Sequence, residues 1–561
     1  MKVKFELQRK ACILTGSAFA VMLSLCITSK VNIVFAFVGS VVFFVIQSVE
    51  VSVPEKVKKF NALWAALLLL FGAWVTTCMV QYLLLEQANR GRLSANRFRL
   101  NILCAFVLML VILIITARAK ISCIAGNILL LILGGINYFV YQFRGNEFSF
   151  GDVKAASTGL SVAAQYEFKL DERAVYVIIM AICYVALMLK VNIELQHKWM
   201  ARLAGLAAAI VCCSYVAVKT ERTVTESWEQ KGTYRNGYIL NFILSVRDSF
   251  VKKPEGYSAE QISGLEEQFG ETKQEGSKDD PTIIVIMNES FADLSKIGPL
   301  KTNEPVTPFL DSLRENTVRG YALASVYGAK TPNSEWEFLT GNSMAFLPSG
   351  SVAYQQYLSG DTYSLVSTLK ERGYKCLAMH PYFETGWSRN KVYPMMGFEE
   401  MHFISDFNKN KTLRAYITDE ELYDKIIQQF EDKEEAQKLF IMSVTMQNHG
   451  GYTDFYPDLM HTIQMTNGYY SDVNQYLTIV NESDKALEKL ISYFEGVDEK
   501  VEIVFFGDHQ PGLNSEFYRQ LNGKGLSGLS LKQLEDLFTV PFFIWTNYES
   551  EEREVELTSL N

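Results

Sequence analysis

The stretch TIIVIMNES (282–290) is a run of apolar, mostly β-branched residues that ends directly in polar side chains. Short apolar runs that stop at polar residues are typical of buried strands. The same form recurs along the chain, and VPFFIW (540–545) closes the series. The other runs are CLAM (376–379) before His380, LFIMSVTM (439–446) before Gln447-Asn448-His449, and VEIVFF (501–506) before Gly507-Asp508-His509.

Helical stretches separate these strands, notably at 417–438 and 476–496. Strands that alternate with helices predict a mostly parallel sheet with both faces covered, an α/β fold. The ligand site of such a sheet lies beyond the carboxyl ends of its strands. We therefore expect the polar residues that follow the strands to meet at one edge: Glu289, His380, His449, Asp508 and His509.

The first part of the chain has a different composition. Seven apolar runs come close to the roughly 17–25 residues that cross a bilayer core, which predicts an α-helical membrane domain. Five to seven of them are expected to span, with an odd number favoured. Basic residues near the N-terminus then place the rest of the chain outside the cytoplasm by the positive-inside rule. The runs are 11–28, 31–49, 60–85, 100–119, 121–145, 174–189 and 201–219.

Three regions are thus predicted in the 561 residues: a transmembrane domain at 1–219, a juxtamembrane helix and linker at 220–280, and an extracytoplasmic catalytic domain at 281–561. Residues 234–250 are interpreted as a helix that lies on the membrane or packs against the catalytic domain. The polar stretch 264–280 is interpreted as the linker. The net charge of −9 argues against a nucleic-acid partner.

The predicted sheet edge carries donors that suit a divalent ion such as Mn²⁺, Mg²⁺ or Zn²⁺. Asp508 and His509 can both bind one ion if the chain turns sharply between them. Taken alone, Glu289 is explained as a solvated carboxylate, and His380 and His449 as core histidines. Their convergence favours a metal site, and the lack of a nearby cysteine disfavours structural zinc.

A helix start is predicted within GAKTPNSEWEFLTG (328–341), because Pro332 suits the first helical position. Thr331 is interpreted as the N-cap of this helix, which is a sufficient structural role. It is also a candidate nucleophile, because a helix N-terminus favours a phosphate or an alkoxide and a metal ion lowers the pKa of a bound hydroxyl. Lys330 adds a positive charge beside it.

Taken together, these motifs resemble the lipoteichoic acid synthase and phosphoglycerol transferase family of the alkaline phosphatase and sulfatase superfamily. The resemblance covers essentially the whole chain. It implies a multi-span helical membrane domain followed by an extracytoplasmic sulfatase-like domain in the cell membrane. The motifs are FRGNEFSFGDV (143–153), NES (288–290), GAKTPNSEWEFLTG (328–341), HPYFETGWSRN (380–390), TMQNHGGY (445–452) and FFGDHQP (505–511).

The resemblance also implies roles for individual residues. One divalent ion is expected, with Mn²⁺ favoured over Mg²⁺ or Zn²⁺. Thr331 would be the nucleophile, and His449 would take part in catalysis. Tyr382 departs from the pattern, because a polar Asp or Asn is expected there. The implied metal ligands are Glu289, Thr331, Asp508 and His509, and the implied substrate-binding residues are Lys330, His380, Trp387, Arg389 and His449.

The implied activity is the transfer of glycerol phosphate from phosphatidylglycerol to a cell-envelope acceptor through a glycerophospho-threonine intermediate. The expected partners are the lipid bilayer, the phosphatidylglycerol donor, and a glycolipid, teichoic acid or wall polysaccharide as acceptor. Phosphoethanolamine transfer stays an alternative, although the catalytic region contains a single cysteine, Cys376, and so no disulfide framework. The other alternative is a catalytically inactive membrane protein that binds a lipid or a glycan.

Overall fold

The computed structural model describes residues 2–5, 9–52, 60–84, 93–144, 147–154, 170–221, 223, 232–250, 253, 256–269, 279–347, 351–452, 455–525 and 528–560. The chain divides into two units. The first comprises Met1–Gln142, Glu147–Phe150 and Gln165–Asp248. The second comprises Phe143–Asn146, Gly151–Ala164 and Ser249–Asn561.

The first unit is built from apolar helices. Each of the seven predicted spans contains a helix, and six of these are long and apolar enough to cross a membrane. The seventh, α2, has 15 residues. The chain is a multi-pass membrane protein. Its helices up to residue 248 are α1 Arg9–Thr28, α2 Val34–Ser48, α3 Asn61–Leu84, α4 Ala95–Thr116, α5 Ala119–Arg144, α6 Phe150–Lys154, α7 Glu172–Lys190, α8 Lys198–Thr220, α9 Gly232–Asn236 and α10 Tyr238–Asp248.

The juxtamembrane helix α10 belongs to the core of the first unit. It buries Tyr238 and Leu240 among side chains of the long apolar helices. The Asn101 side chain on α4 donates to the carbonyl oxygen of Asn236 at 2.7 Å and accepts from the Leu240 amide at 3.0 Å. The segment 234–250 is therefore an integral part of the helical unit, an arrangement that the sequence analysis did not foresee.

The first residues of the predicted linker, 264–280, belong to a helix that starts before it. Helix α11 spans Ala259–Phe269, so residues 264–269 are helical. The remainder of the linker, at 270–278, lies outside the described residues, as do Gly145 and Asn146 of the FRGNEFSFGDV motif.

The second unit contains an eight-stranded sheet in the order β12–β4–β11–β10–β3–β9–β5–β6. Strand β11 is antiparallel to both of its neighbours, and the other neighbouring pairs are parallel, which confirms the prediction of a mostly parallel sheet. Short strands β1 (Lys2–Phe5) with β2 (Val49–Ser52), and β7 (Thr412–Leu413) with β8 (Tyr416–Ile417), form separate antiparallel pairs. The sheet strands are β3 Thr282–Asn288, β4 Thr317–Leu323, β5 Lys375–Met379, β6 Glu400–His402, β9 Leu439–Val444, β10 Val501–Gly507, β11 Thr539–Thr546 and β12 Arg553–Leu557.

Helices cover both faces of this sheet. On β3, Ile284 and Ile286 join a core with α17 and α18, whereas Val285 and Met287 join a core with α13, α15 and α16. Because both faces are buried, the central strands β3, β9 and β10 are mostly apolar on both faces. The helices are α12 Pro308–Ser312, α13 Thr331–Thr340, α14 Ala353–Gln356, α15 Leu365–Glu371, α16 Arg389–Met396, α17 Asp419–Glu431, α18 Ser471–Glu495, α19 Ser515–Asn522 and α20 Leu531–Asp536, with 3₁₀ turns at Leu294–Lys296, Met344–Phe346, Gly386–Ser388 and Ile404–Asp406.

Strands β4, β6 and β12 were not predicted. Strand β4 contains Arg319 and Gly320 and is only partly buried, so its sequence lacks the continuous apolar run of the central strands. It lies one strand in from the edge formed by β12. Strands near a sheet edge carry a weaker sequence signal than central ones, because one side of them meets solvent.

Gly507, the last residue of β10, lies where the backbone is closely packed at the sheet edge. A Cβ added at Gly507 would lie 1.9 Å from the carbonyl oxygen of Phe291, which is a backbone atom that cannot rotate away. We expect Gly507→Ala to destabilise the second unit by about 1–3 kcal/mol. Thermal unfolding of the full chain measures this. Gly360→Ala is the control, since nothing lies within 4 Å of its added Cβ, and equal melting temperatures for both variants would contradict the expectation.

Candidate metal centre and active site

The site begins with the register between β3 and β10. These strands are parallel neighbours, and Asn288 pairs with Gly507 as the last residue of each. Glu289 and Asp508 therefore leave the sheet side by side, and His509 follows. One donor atom from each of these three residues lies within 4.8 Å of the other two. The structure thus brings together three of the predicted metal ligands.

Backbone and side-chain hydrogen bonds fix the orientation of these groups. The Ser290 amide donates to Oδ1 of Asp508 at 2.7 Å, and the Glu289 amide donates to Oγ1 of Thr445 at 3.0 Å. The imidazole of His509 has its Nδ1 3.0 Å from the carbonyl oxygen of Gln510. A carbonyl only accepts, so Nδ1 carries the proton and Nε2 presents a lone pair.

Two atoms of the cluster are buried without a hydrogen-bond partner: Oδ2 of Asp508 and Nε2 of His509. They lie 3.2 Å apart. Burial raises the pKa of the Asp508 carboxyl, and the nearby negative charge of Glu289 raises it further. Two buried carboxylates beside an imidazole lone pair are costly without a cation. Oxygen and nitrogen donors of this kind fit a divalent metal ion.

Thr331 is the first residue of α13, and its hydroxyl donates to Oε2 of Glu289 at 3.1 Å. The prediction that Thr331 caps this helix is wrong, because Lys330 occupies the N-cap position and no side chain caps the helix there. The threonine adopts helical geometry, and its hydroxyl is drawn to the carboxylate instead of to the free amides of the first turn. The helix ends at Thr340, and Gly341 follows it in the left-handed region at φ +66°.

The backbone is strained on both sides of the cluster. Lys330 has φ +74° and Ser290 has φ +52°, values that residues with a Cβ adopt at a cost of about 1–2 kcal/mol each. Lys330 is also buried, at 9% exposure. The surrounding hydrogen bonds hold both residues in these conformations, which aim the carboxylates and Thr331 at one point.

The two predicted histidines follow the adjacent strands β5 and β9. His380 is buried with its Nδ1 2.9 Å from the carbonyl oxygen of Val444, and burial lowers its pKa well below the usual value. His449 has its Nδ1 3.2 Å from the hydroxyl of Tyr416, and burial lowers its pKa as well. Both imidazoles are therefore neutral at pH 7. Their predicted contacts with substrate stay predictions.

Arg389 forms a salt bridge with a carboxylate, a pairing that the sequence analysis did not predict. Its Nη2 and Nε donate to Oε2 of Glu335 at 2.8 and 3.2 Å, and both side chains are completely buried. Glu335 lies four residues after Thr331 on α13, a spacing that places both on one helix face and was visible in the sequence. Trp387 precedes this pair with φ +52° and is partly buried. The predicted roles of Arg389 and Trp387 in phosphate and glycerol binding stay predictions.

A buried polar network supports the ends of β3 and β9 from behind. The Asn288 side chain donates to Oδ2 of Asp419 at 2.9 Å and accepts from the Asn448 amide at 2.9 Å. The Ser483 hydroxyl donates to the same Oδ2 at 2.6 Å. Burial raises the pKa of Asp419 to about 6. Nothing in the sequence indicated that Asp419 and Ser483 reach this edge, because they lie on α17 and α18.

Comparisons with known proteins agree with this architecture. Residues 281–560 match the sulfatase family. A putative cyclic beta-1,2-glucan modification protein of Rhizobium meliloti is 30% identical over 58% of this chain and 51% of its own length. Lipoteichoic acid synthase 2 of Bacillus subtilis is 24% identical over 36% of this chain and 31% of its own length. The chain spans about half the length, or less, of the curated relatives that it matches.

Among solved structures, the phosphoglycerol transferase GacH of Streptococcus pyogenes in complex with sn-glycerol-1-phosphate is similar, with a TM-score of 0.46 and 20% identity. That match covers 55% of this chain and 81% of that chain. The C-terminal part of the chain, residues 281–560, is a sulfatase-family domain. It follows an N-terminal helical membrane unit.

The metal assignment has a direct test. We expect Glu289→Gln and Asp508→Asn each to lower the Mn²⁺ content of the purified full chain at least tenfold, since each removes a charged oxygen donor from the cluster. Elemental analysis after dialysis against Mn²⁺ measures this. Glu384→Gln is the matched control, because Glu384 is an exposed carboxylate on the loop after β5. Full metal content in the two cluster variants would refute the assignment.

Proposed function

We propose that this chain is a membrane-anchored, metal-dependent phosphotransferase that moves glycerol phosphate from phosphatidylglycerol to a hydroxyl group of a cell-envelope acceptor. The observation that carries the proposal is the placement of the Thr331 hydroxyl. It lies 3.1 Å from Glu289, inside the cluster with Asp508 and His509. A side-chain hydroxyl at a helix start, next to a divalent-ion site, is suited to attack phosphorus and form a covalent phosphoryl intermediate.

The proposed reaction has two displacements at phosphorus. The Oγ1 of Thr331 attacks the phosphodiester, a new P–O bond forms, and the bond to the diacylglycerol oxygen breaks. The threonine proton passes to Glu289 or to solvent, and the released diacylglycerol oxygen takes up a proton. The acceptor hydroxyl then attacks the glycerophospho-threonine and restores the free threonine. A divalent ion at this site would stabilise the Thr331 alkoxide and the charge on the phosphoryl oxygens.

The neutral state of the histidines determines which proton transfers they can perform in the proposed reaction. His449 is uncharged at pH 7, because burial lowers its pKa. A neutral imidazole accepts a proton from an attacking hydroxyl, so His449 acts as the general base for the acceptor. Its partner Tyr416 fixes the ring through Nδ1 and leaves Nε2 for this role. His380 is kept neutral by burial, which lowers its pKa well below the usual value, and its Nδ1 lies within hydrogen-bond distance of the Val444 carbonyl oxygen.

The acceptor class follows from the relatives. One is named as a cyclic beta-1,2-glucan modification protein and another as a capsular polysaccharide biosynthesis protein, both of Rhizobium meliloti, and a third as a lipoteichoic acid synthase. The first two names point to saccharides and the third to a glycerol phosphate polymer. We propose a saccharide-containing envelope molecule as the acceptor, which includes glycolipid, teichoic acid and wall polysaccharide.

The membrane unit supports the lipid donor in this proposal. Helices of 19 to 26 residues hold the chain in the bilayer where phosphatidylglycerol resides. The catalytic domain is proposed to lie on the extracytoplasmic side, where envelope acceptors are found.

The role of Thr331 is tested by removing only its hydroxyl. We expect Thr331→Val to melt within a few degrees of the parent, because the side chain keeps its shape and caps nothing. It should release no diacylglycerol from phosphatidylglycerol vesicles, whereas Thr331→Ser should retain measurable release. Thin-layer or mass-spectrometric detection of diacylglycerol is the readout. An active valine variant would refute the nucleophile, and release from phosphatidylethanolamine alone would refute the glycerol phosphate donor.

Membrane orientation has its own test. We expect green fluorescent protein fused after the last residue to stay dark in cells. This reporter folds poorly when it is exported in unfolded form, so it would not fluoresce outside the cytoplasm. An alkaline phosphatase fusion at the same position should be active. The reverse pattern would place the catalytic domain in the cytoplasm and remove the envelope acceptor from the proposal.

A further inference from the structure

A second cationic position lies beside the candidate active site, on the hairpin formed by β7 and β8. Arg414 occupies the turn of this hairpin with φ +61°, in the left-handed region. It is 7% exposed. Glycine adopts such a conformation at no steric cost, whereas an arginine is strained there.

The guanidinium of Arg414 is only partly satisfied. Its Nη2 donates to the carbonyl oxygens of His449 and Gly450 at 3.0 and 3.1 Å. Its Nε and Nη1 are buried and have no hydrogen-bond partner. Among the residues that the structure describes, no carboxylate forms a salt bridge with it. The chain's other deeply buried arginine in this domain, Arg389, is instead fully matched by Glu335.

Three tyrosine rings surround this charge. The guanidinium carbon lies 5.5, 5.3 and 5.0 Å from the ring centres of Tyr416, Tyr452 and Tyr456. Cation–π contacts of this kind stabilise a buried charge. They leave the N–H groups of Nε and Nη1 unmatched, and buried donors without acceptors are costly. The tyrosine rings therefore stabilise the positive charge of Arg414 but provide no acceptors for its Nε and Nη1 hydrogens.

The same hairpin reaches the catalytic residues. Tyr416 on β8 contacts the imidazole of His449, and Arg414 holds the backbone of that histidine. The positive charge of Arg414 lowers the pKa of His449, whereas the negative charge of Glu289 raises it. His449 thus lies within the electrostatic reach of both the metal cluster and Arg414.

We propose that Arg414 is an anion subsite, in which one of its two unmatched nitrogens, Nε or Nη1, donates to a phosphate group of the substrate. An anion would supply a missing acceptor and the missing counter-charge, and a hydrogen bond from a guanidinium to a phosphate oxygen is charge-assisted. The proposal deepens the proposed function, on which it rests. The phosphate belongs either to the lipid headgroup or to a phosphorylated acceptor.

Phosphate binding by the Mn²⁺-loaded full chain in detergent tests the subsite. We expect Arg414→Gly to weaken the binding of inorganic phosphate roughly ten- to hundredfold in calorimetric titration, because it removes charge-assisted hydrogen bonds. Glycine suits φ +61°, so the backbone of the hairpin is preserved. Ala436→Gly is the matched control, a second position with positive φ (+63°) that is exposed and distant in sequence from the site motifs. Parent-like phosphate affinity in Arg414→Gly would overturn the proposal.

Chemical rescue separates anion binding from a structural role. Millimolar guanidinium should restore phosphate affinity to Arg414→Gly and leave Ala436→Gly unchanged, because the ion refills the space between the tyrosine rings. Weakened binding without rescue would assign Arg414 to the support of the His449 loop and would overturn the subsite. If Arg414→Gly melts well below the parent, Arg414→Met decides in its place, since it fills the space without donors, and parent-like affinity there would again overturn the subsite.

Two further titrations distinguish the lipid headgroup from a phosphorylated acceptor as the source of the phosphate. Weaker binding of phosphatidylglycerol vesicles by Arg414→Gly assigns the subsite to the donor headgroup, and weaker binding of soluble glycerol phosphate alone assigns it to the acceptor side. The proposed function fails separately, when the parent releases no diacylglycerol. The phosphate titration does not depend on turnover, so it still decides the subsite in that case.

Discussion

The active site depends on one register, the parallel pairing that sets Asn288 opposite Gly507 at the ends of β3 and β10. It delivers Glu289 and Asp508 to the same point in a buried environment, where two negative charges repel each other. The Ser290 amide donates to Asp508 and the Thr331 hydroxyl donates to Glu289, and these two hydrogen bonds offset part of the cost. A divalent cation at this point would offset the remaining charge. A slip of one residue in either strand would turn one carboxylate to the opposite face.

Helix α13 is held in place by a second electrostatic contact. Glu335 on this helix pairs with Arg389 at the start of α16, and both are inaccessible to water. A buried pair of this kind contributes little net stability, but the loss of either partner leaves a buried charge and is strongly destabilising. Because Thr331 is on the same helix, the pair fixes where its hydroxyl lies. The position of the Thr331 hydroxyl is thus coupled to the segment that carries Trp387 and Arg389.

Strain and support occur together around this site. Ser290, Lys330, Trp387 and Arg414 all have positive φ values, although none is glycine. Such conformations persist only where neighbouring contacts over-determine them. The network of Asn288, Asp419, Ser483 and Asn448 supplies that rigidity beneath β3 and β9. It holds Glu289 and the residues that follow β9 in position, so that little reorganisation is needed when a ligand binds at this edge.

Local patterns in the sequence were enough to locate the central strands and the polar residues that follow them. Apolar runs such as 282–287 and 501–506 are buried on both faces, and that constraint acts locally and leaves a visible pattern. The meeting of Glu289, Asp508 and His509 followed from the rule that parallel strands present their carboxyl ends at one edge. The seven apolar helices were predicted for a similar reason, since a bilayer requires a fixed length of apolar chain.

The hydrogen-bond and ion-pair partners of the polar groups could not be predicted from local sequence patterns. The cap expected at Thr331 gave way to the Glu289 carboxylate, a residue 42 positions away in sequence. Glu335 for Arg389 and Asp419 for Asn288 likewise come from distant segments, and Arg414 reaches His449 through a two-strand hairpin too short to show a periodic pattern. Hydrogen bonds and charges act over a few ångströms, so their pairing depends on how the helices and loops are packed, and no local pattern in the sequence records it.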